Sequence, residues 1–218
     1  MDVRTKEAVR YLGYGKHVVD EKILQEIQNC FRELEELADK KSIYRAFELS
    51  LKDENKLEIG NVEICSRNLR TNLEDCKMVV LFAATLGVEV DRQIRKYQLV
   101  DMSKAVVMQA CAAVVLEEFC DDLQKQIGEQ LRLEGKYIRP RFSPGYGDFS
   151  ILHQKDILAM LDAPKMIGVT MTDSYMLTPT KSVTAVIGIG DKDVNCNLNR
   201  CEECKKTDCT YKKELEIC

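Results

Sequence analysis

The segment RFSPGYGDFS, residues 141–150, places an arginine, a proline, two glycines and a tyrosine within ten positions. Arg141 offers a planar guanidinium fork that suits a carboxylate or a phosphate. Gly145 and Gly147 flank Tyr146, so the backbone can adopt positive φ values there and let a ligand approach closely. These residue types predict either a binding loop or an ordinary proline-glycine turn with a surface arginine. On local chemistry alone, the turn is favoured.

Glu117 is a second residue that could recognise a ligand. It lies where the apolar part of a predicted helix, residues 105–116, gives way to an amphipathic part. A carboxylate there would be partly desolvated and fixed in position by the helix. The alternative is a solvent-exposed glutamate beside Glu118, and by sequence alone exposure is favoured. The acid pairs at 35–36 and 121–122 are expected on solvated helix faces.

Five cysteines crowd into the end of the chain with the spacing C-x4-C-x2-C-x4-C-x8-C, and they are Cys196, Cys201, Cys204, Cys209 and Cys218. Thiolates at these intervals can surround a tetrahedral ion or a small iron–sulfur cluster. In a reducing compartment such clustering favours metal over disulfides. The first four cysteines are therefore predicted as metal ligands. Zinc and an iron–sulfur cluster both stay open, as do a disulfide-forming redox tail and a tail of free thiols.

Composition excludes several classes of protein. The chain has 218 residues, 45% hydrophobic and 31% charged, as an ordinary globular protein does. Its net charge of −4 argues against a nucleic-acid surface or a basic membrane anchor. Residues 1–16 contain no signal-peptide pattern, and the apolar run at 105–116 is too short to span a bilayer. A cytoplasmic location is expected, with no membrane or nucleic-acid partner. No hydrolase or P-loop motif occurs.

The elements that must position these residues mix helices and strands without a regular βα repeat. Long helices are predicted at 20–40 and 101–133, and the apolar run at 77–86 is predicted as a buried central strand. Further strands are predicted at 42–52, 57–65, 166–171 and 182–189, and further helices at 88–97 and 154–161. This order predicts an α+β fold, a mainly antiparallel sheet flanked by helices, over residues 1–190. The cysteine-rich tail follows at 191–218.

The segment R-x-S-P-G-Y, from Arg141 to Tyr146, resembles the R-x-A/S-P-G-Y loop in the activation domain of cobalamin-dependent methionine synthase, which binds S-adenosylmethionine. Four other segments share the resemblance: YLGY (11–14), VLFAATLG (80–87), VDRQIRKYQLVDMSKA (90–105) and KSVTAVIG (181–188). The resemblance covers residues 3–189 and is most specific over 80–147. The chain is similar to a free-standing branch of that family and is expected to share its activation-domain fold.

The resemblance implies a role in vitamin B12 chemistry. In the family, an enzyme whose cobalamin has been oxidised to inactive Co(II) receives an electron from a reductase or flavodoxin, then a methyl group from S-adenosylmethionine. The implied function is support of this reductive methylation in trans, for a methionine synthase or another corrinoid methyltransferase of methionine biosynthesis. Because the chain has no cobalamin-binding D-x-H-x-x-G motif, the cobalamin is expected on a partner protein. The alternative is an iron–sulfur or zinc-containing redox and electron-transfer partner of a corrinoid protein.

The resemblance implies a role in donor binding for Glu117 and for four residues of the loop. Arg141 would bind the donor's carboxylate and Glu117 its α-amino group, because one fixed cation and one fixed anion read a zwitterion. The backbone at Ser143 and Gly145, together with Tyr146, would frame the rest of the donor. An aromatic face near the sulfonium is favourable.

The chain also departs from the family. After Tyr146 the large enzymes read P-A-C-P, whereas residues 147–150 here read GDFS, so the wall of the site near the corrin is expected to differ. An N-terminal aspartate that those enzymes use on the donor has no counterpart here. Those enzymes also have a longer hairpin after the segment that matches residues 181–188, and the tyrosine that this hairpin supplies has no assigned position in this chain. The cysteine tail is absent from the large enzymes.

Overall fold

The computed structural model describes residues 1–14, 17, 19–53 and 55–192. The helices are α1 (Val3–Tyr11), α2 (Glu21–Leu37), α3 (Arg67–Asn72), α4 (Val88–Val100), α5 (Met102–Leu133), α6 (Gln154–Leu161) and α7 (Ala163–Ile167). The strands are β1 (Lys41–Leu51), β2 (Lys56–Ile59), β3 (Val62–Cys65), β4 (Cys76–Thr85), β5 (Tyr137–Ile138), β6 (Thr170–Met171), β7 (Leu177–Thr178) and β8 (Ser182–Gly190). The predicted metal ligands Cys196, Cys201, Cys204 and Cys209 lie outside the described residues.

Six strands form one antiparallel sheet in the order β3-β2-β1-β4-β8-β5. Within it, β4 is buried along its last seven residues. Its side chains alternate between the two faces: Val80 and Phe82 join the core with α2 and α5, and Val79 and Leu81 join the core with α6. The buried central strand predicted at 77–86 is confirmed, as is the α+β class with a mainly antiparallel sheet.

The long helix predicted at 101–133 is confirmed as α5. Asp101 caps its start by accepting a hydrogen bond from the backbone N–H of Lys104 at 3.0 Å. The apolar first half is buried among α1, α2, α4 and the sheet, which explains why it lacks a polar face. The sequence pattern did not predict α1, which Asp2 caps through the backbone N–H of Thr5 at 2.9 Å.

The opposite face of the sheet is covered by α3, α6 and α7, and here one prediction is partly wrong. Of the strand predicted at 166–171, residues 166–167 belong to α7, and only Thr170–Met171 form β6. Pro164 fits the first turn of a helix, where no N–H donor is needed. Gly168, with a φ of 70°, then ends α7 in the left-handed conformation.

Within the described residues, no helix has both the length and the apolar character that a membrane span requires.

Candidate functional site

The structure brings Arg141 and Glu117 into direct contact. Arg141 Nη2 lies 2.7 Å from Glu117 Oε2 and Nη1 lies 2.6 Å from Asp121 Oδ1. Arg141 Nη1 also donates to Gln124 Oε1 at 3.3 Å. The three acceptors stand at i, i+4 and i+7 on α5, so they share one helix face. A guanidinium carried by the loop thus spans the acidic face of the long helix.

Asp121 is a site residue that the sequence reasoning missed. It was expected on a solvated helix face, and its side chain is 69% exposed, yet it forms a short ion pair with Arg141. The available signal was its position four residues after Glu117, because residues at that spacing are neighbours on a helix surface. Asp121 thus lies on a solvated helix face, as expected, and in addition pairs with Arg141.

Both acids hold Arg141 without enclosing it. Burial disfavours the charged guanidinium, but the hydrogen bond and charge of Asp121 and the charge of Glu117 outweigh this, so the pKa of Arg141 lies above its ordinary value. Glu117 is 49% exposed, and ion pairs of such exposure contribute only about 0–1 kcal/mol. A ligand carrying its own carboxylate and ammonium could therefore replace the Arg141–Glu117 contact at small cost.

Tyr11, at the end of α1, lies close enough to Glu117 for the charge of that carboxylate to affect its pKa. Burial raises the pKa of Tyr11 and the charge of Glu117 raises it further, while Arg10, whose guanidinium carbon lies 4.7 Å from the ring centroid, acts in the opposite direction. The sequence had marked Tyr11 only as part of a family-like segment. The structure adds a phenol to the surroundings of Glu117.

The loop after Arg141 is held by its own backbone. Phe142 exchanges hydrogen bonds of 2.8 and 2.9 Å with Val186 on the edge of β8. Tyr146 N–H then donates to the carbonyl oxygen of Ser143 at 3.2 Å, and Gly145 has a φ of 93°. The sequence expectation of positive φ at this glycine is confirmed.

Tyr146 lies on the surface, where the residue is 59% exposed. Within the part of the chain that the structure describes, no hydrogen bond or ring contact joins Tyr146 to Arg141 or Glu117. Of the predicted site residues, the structure thus joins Arg141 to Glu117 directly and sets Ser143, Gly145 and Tyr146 in the loop that begins beside them.

Cys120 lies on α5 next to the acidic face but cannot act as a nucleophile there. Its side chain is almost fully buried. Burial raises the pKa of Cys120 to about 12, although the charge of Arg141 acts in the opposite direction. Because the thiolate is the reactive form of cysteine, this thiol is inert at neutral pH.

Two surface cavities stand apart from this site. One, of about 550 Å³, is lined by apolar residues that include Leu12, Ile23 and Val107. The other, of about 590 Å³, is lined by Lys52, Arg67, Arg70 and neighbouring polar residues. Neither of these two cavities is lined by Arg141 or Glu117. Among residues 1–14, 17, 19–53 and 55–192, no cluster of three or more metal-ligating side chains occurs.

One comparison with known proteins identifies the family of the chain, and another finds a solved structure of similar fold. A family model described as vitamin B12 dependent methionine synthase, activation domain, matches residues 33–214. Among solved structures, the chain is similar to a crystal structure of the MetH reactivation domain bound to AdoHcy, with a TM-score of 0.56. The sequence identity is 18%, over 84% of this chain and 75% of that chain, so the likeness concerns the fold. No curated protein matches the chain.

The inertness of Cys120 can be checked by alkylation of the native protein. With iodoacetamide at neutral pH, peptide mass spectrometry should show exposed Cys65 labelled well before Cys120. A pKa of about 12 leaves Cys120 on the order of a thousandfold less thiolate than an ordinary cysteine, and burial blocks access. In denaturant the two should react alike. Equal labelling in the native state would contradict the buried, protonated thiol.

Proposed function

Because the chain belongs to the family of vitamin B12 dependent methionine synthase activation domains, we propose that it binds S-adenosylmethionine at Arg141 and Glu117. From there it supplies the donor's methyl group to a corrinoid methyltransferase in trans. The observation that carries this proposal is the pairing of a loop arginine with a glutamate 24 residues away, at 2.7 Å. Each partner matches one charge of the amino acid end of the donor. The structurally similar reactivation domain, bound to AdoHcy, supports the same ligand class.

Donor binding exchanges one set of ion pairs for another. The donor's carboxylate takes the Nη2 side of Arg141, and its ammonium takes the carboxylate of Glu117. Asp121 keeps its contact with Nη1 and holds the guanidinium in place throughout. Because Glu117 is half exposed, opening its contact with Arg141 costs little, while the bidentate, charge-assisted contacts to the donor are stronger than neutral hydrogen bonds.

The loop frames the remainder of the donor. The N–H groups of Gly145 and Tyr146 are already donated within the loop, to Phe149 and Ser143. Contacts to the donor are therefore assigned to carbonyl oxygens at Ser143 and Gly145 and to the bare surface of the glycine. The exposed ring of Tyr146 can turn its face toward the sulfonium, an electrostatically favourable position for a cation.

The chemistry itself belongs to the partner. The partner's corrinoid, once reduced by one electron from a reductase or flavodoxin, would supply the nucleophile for the methyl group, and the electron pair of the donor's C–S bond would remain on its sulfur. This chain binds and orients the donor. Protonated Cys120 presents no competing thiolate beside it. The partner is a cobalamin-dependent methionine synthase or a related methyltransferase, and the protein is accessory to that methyltransferase activity in the cytoplasm.

The chain is proposed to consist of two parts. Residues 1–190 form the activation domain, whose last strand ends at Gly190, and residues 191–218 form a cysteine tail. Cys196, Cys201, Cys204 and Cys209 are proposed to bind zinc or an iron–sulfur cluster, on their spacing. That spacing also favours the second candidate function, electron transfer to a corrinoid partner through an iron–sulfur tail.

Donor binding is tested by titration calorimetry. The wild-type protein should bind S-adenosylmethionine, and Arg141→Ala should weaken binding by roughly tenfold or more, because a charge-assisted contact is lost. Glu117→Gln should weaken it as well. The matched control is Arg92→Ala, which removes an exposed arginine paired with Glu89 on α4 and should leave affinity unchanged. Absence of binding to the wild type, or wild-type affinity in Arg141→Ala, would contradict the proposal.

The tail is tested by metal analysis of protein purified without oxygen. We expect the wild type to contain bound zinc or iron. The double variant Cys201→Ser/Cys204→Ser should lose this metal, because two thiolate ligands are removed. Cys65→Ser, an exposed cysteine of β3, is the control and should keep the metal. Iron with a visible absorption band favours electron transfer, and colourless protein with zinc favours a structural tail. A metal-free wild type would contradict both.

A further inference from the structure

The carboxylate of Asp148 joins the loop to α3, a helix that shares its buried cluster with Phe142 and Phe149 of the loop. It accepts hydrogen bonds from Ser66 Oγ at 2.6 Å and from the backbone N–H groups of Arg67 and Asn68 at 2.9 and 3.1 Å. These partners lie at the start of α3, at least 80 residues away in sequence. The N–H groups at a helix start lack partners within the helix, so a carboxylate there is well placed.

The contact is reciprocal and leaves no room for a larger loop residue. Asn68 Oδ1 accepts a hydrogen bond from the backbone N–H of Asp148 at 3.2 Å. Gly147 has a φ of 54°, and a Cβ at this position would stand only 2.5 Å from Asn68 Oδ1. Phe149, which follows Asp148, is 1% exposed and stacks on His153 with ring centroids 5.6 Å apart. The small residue at 147, the carboxylate at 148 and the buried ring at 149 thus each match the position that residues 147–149 take against the start of α3.

The predicted donor loop is therefore fastened at both ends. At its start, Phe142 bonds to Val186 on the sheet edge, and at its end, Asp148 bonds to α3. Between them, Gly145 N–H donates to the carbonyl oxygen of Phe149 at 2.7 Å and ties the middle of the loop to its end. A short segment with two fixed ends has few conformations to lose when a ligand binds.

We infer that Asp148 is a positioning residue for S-adenosylmethionine: by anchoring residues 143–147 to α3 it sets the shape of the donor loop before the donor arrives. This inference rests on the function proposed above and extends it to a residue that does not touch the donor. Pre-organisation of a loop raises affinity by reducing the ordering cost of binding. The GDFS segment, where the chain departs from its family, thereby acquires a specific task.

Asp148 is not required to start α3, because that helix has its own cap. Ser66 Oγ accepts a hydrogen bond from the backbone N–H of Leu69 at 3.0 Å. Partial burial raises the pKa of Asp148, but the hydrogen bonds from Ser66, Asn68 and Arg67 outweigh this and hold the pKa below its ordinary value. The carboxylate is thus charged at neutral pH, and the anchor is lost only in acid, as pH falls through that lowered pKa.

The inference is tested by Asp148→Ala in the full chain. Calorimetry with S-adenosylmethionine should show affinity reduced by about five- to twentyfold, through lost pre-organisation. Asp148→Asn should recover part of this loss, because an amide oxygen still accepts from helix N–H groups. The matched control is Asp20→Ala, which removes an exposed carboxylate that caps α2 through Lys22 N–H at 2.9 Å. It should lower the free energy of unfolding without changing affinity.

Hydrogen exchange of the donor-free proteins separates this inference from the proposed function. The amides of Gly145 and Phe149 should exchange faster in Asp148→Ala than in the wild type or in Asp20→Ala. If the wild type does not bind the donor, the proposed function fails, while the exchange rates still report whether Asp148 holds the loop. Unchanged exchange, wild-type affinity in Asp148→Ala, or an equal loss of affinity in Asp20→Ala would each overturn the inference.

Discussion

The pairing of Arg141 with the acidic face of α5 is the interaction on which the site depends, because it joins two elements that the chain could have left apart. Glu117 and Asp121 are fixed by a helix whose first half is buried against the sheet. Arg141 is fixed by the Phe142–Val186 bridge that follows it. One support is packed in the core and the other is bonded to the sheet, so a surface ion pair of small intrinsic stability is held in one place.

The loop and the helix contribute different things to this arrangement. The helix supplies negative charge at fixed intervals, while the loop supplies a cation and backbone that a ligand can approach. Loops are mobile unless tied down, and here the tie is Asp148, which spans from the loop to α3. The loop is therefore held both by β8, through Phe142, and by α3, through Asp148.

Much of this could be predicted from sequence because the signals were local. The buried strand β4 and the long helix α5 followed from apolar runs, and Arg141 with Glu117 followed from a family resemblance rather than from their own chemistry, which favoured a turn and an exposed acid. Residues 166–167 were misassigned because an apolar run does not distinguish a strand from a short helix when Pro164 and Gly168 set its ends. The role of Asp148 was hidden because its partners stand at least 80 residues away, and no local pattern reports such a contact.

The central claim is that this chain presents a methyl donor to a corrinoid carried by another protein. It is tested most directly by anaerobic incubation of the chain with a Co(II) corrinoid protein, a reductant and S-adenosylmethionine labelled in its methyl group. We expect label to reach the corrinoid protein only when the chain is present, and we expect Arg141→Ala to abolish most of the transfer. Transfer at the same rate without the chain, or none with it, would contradict the account.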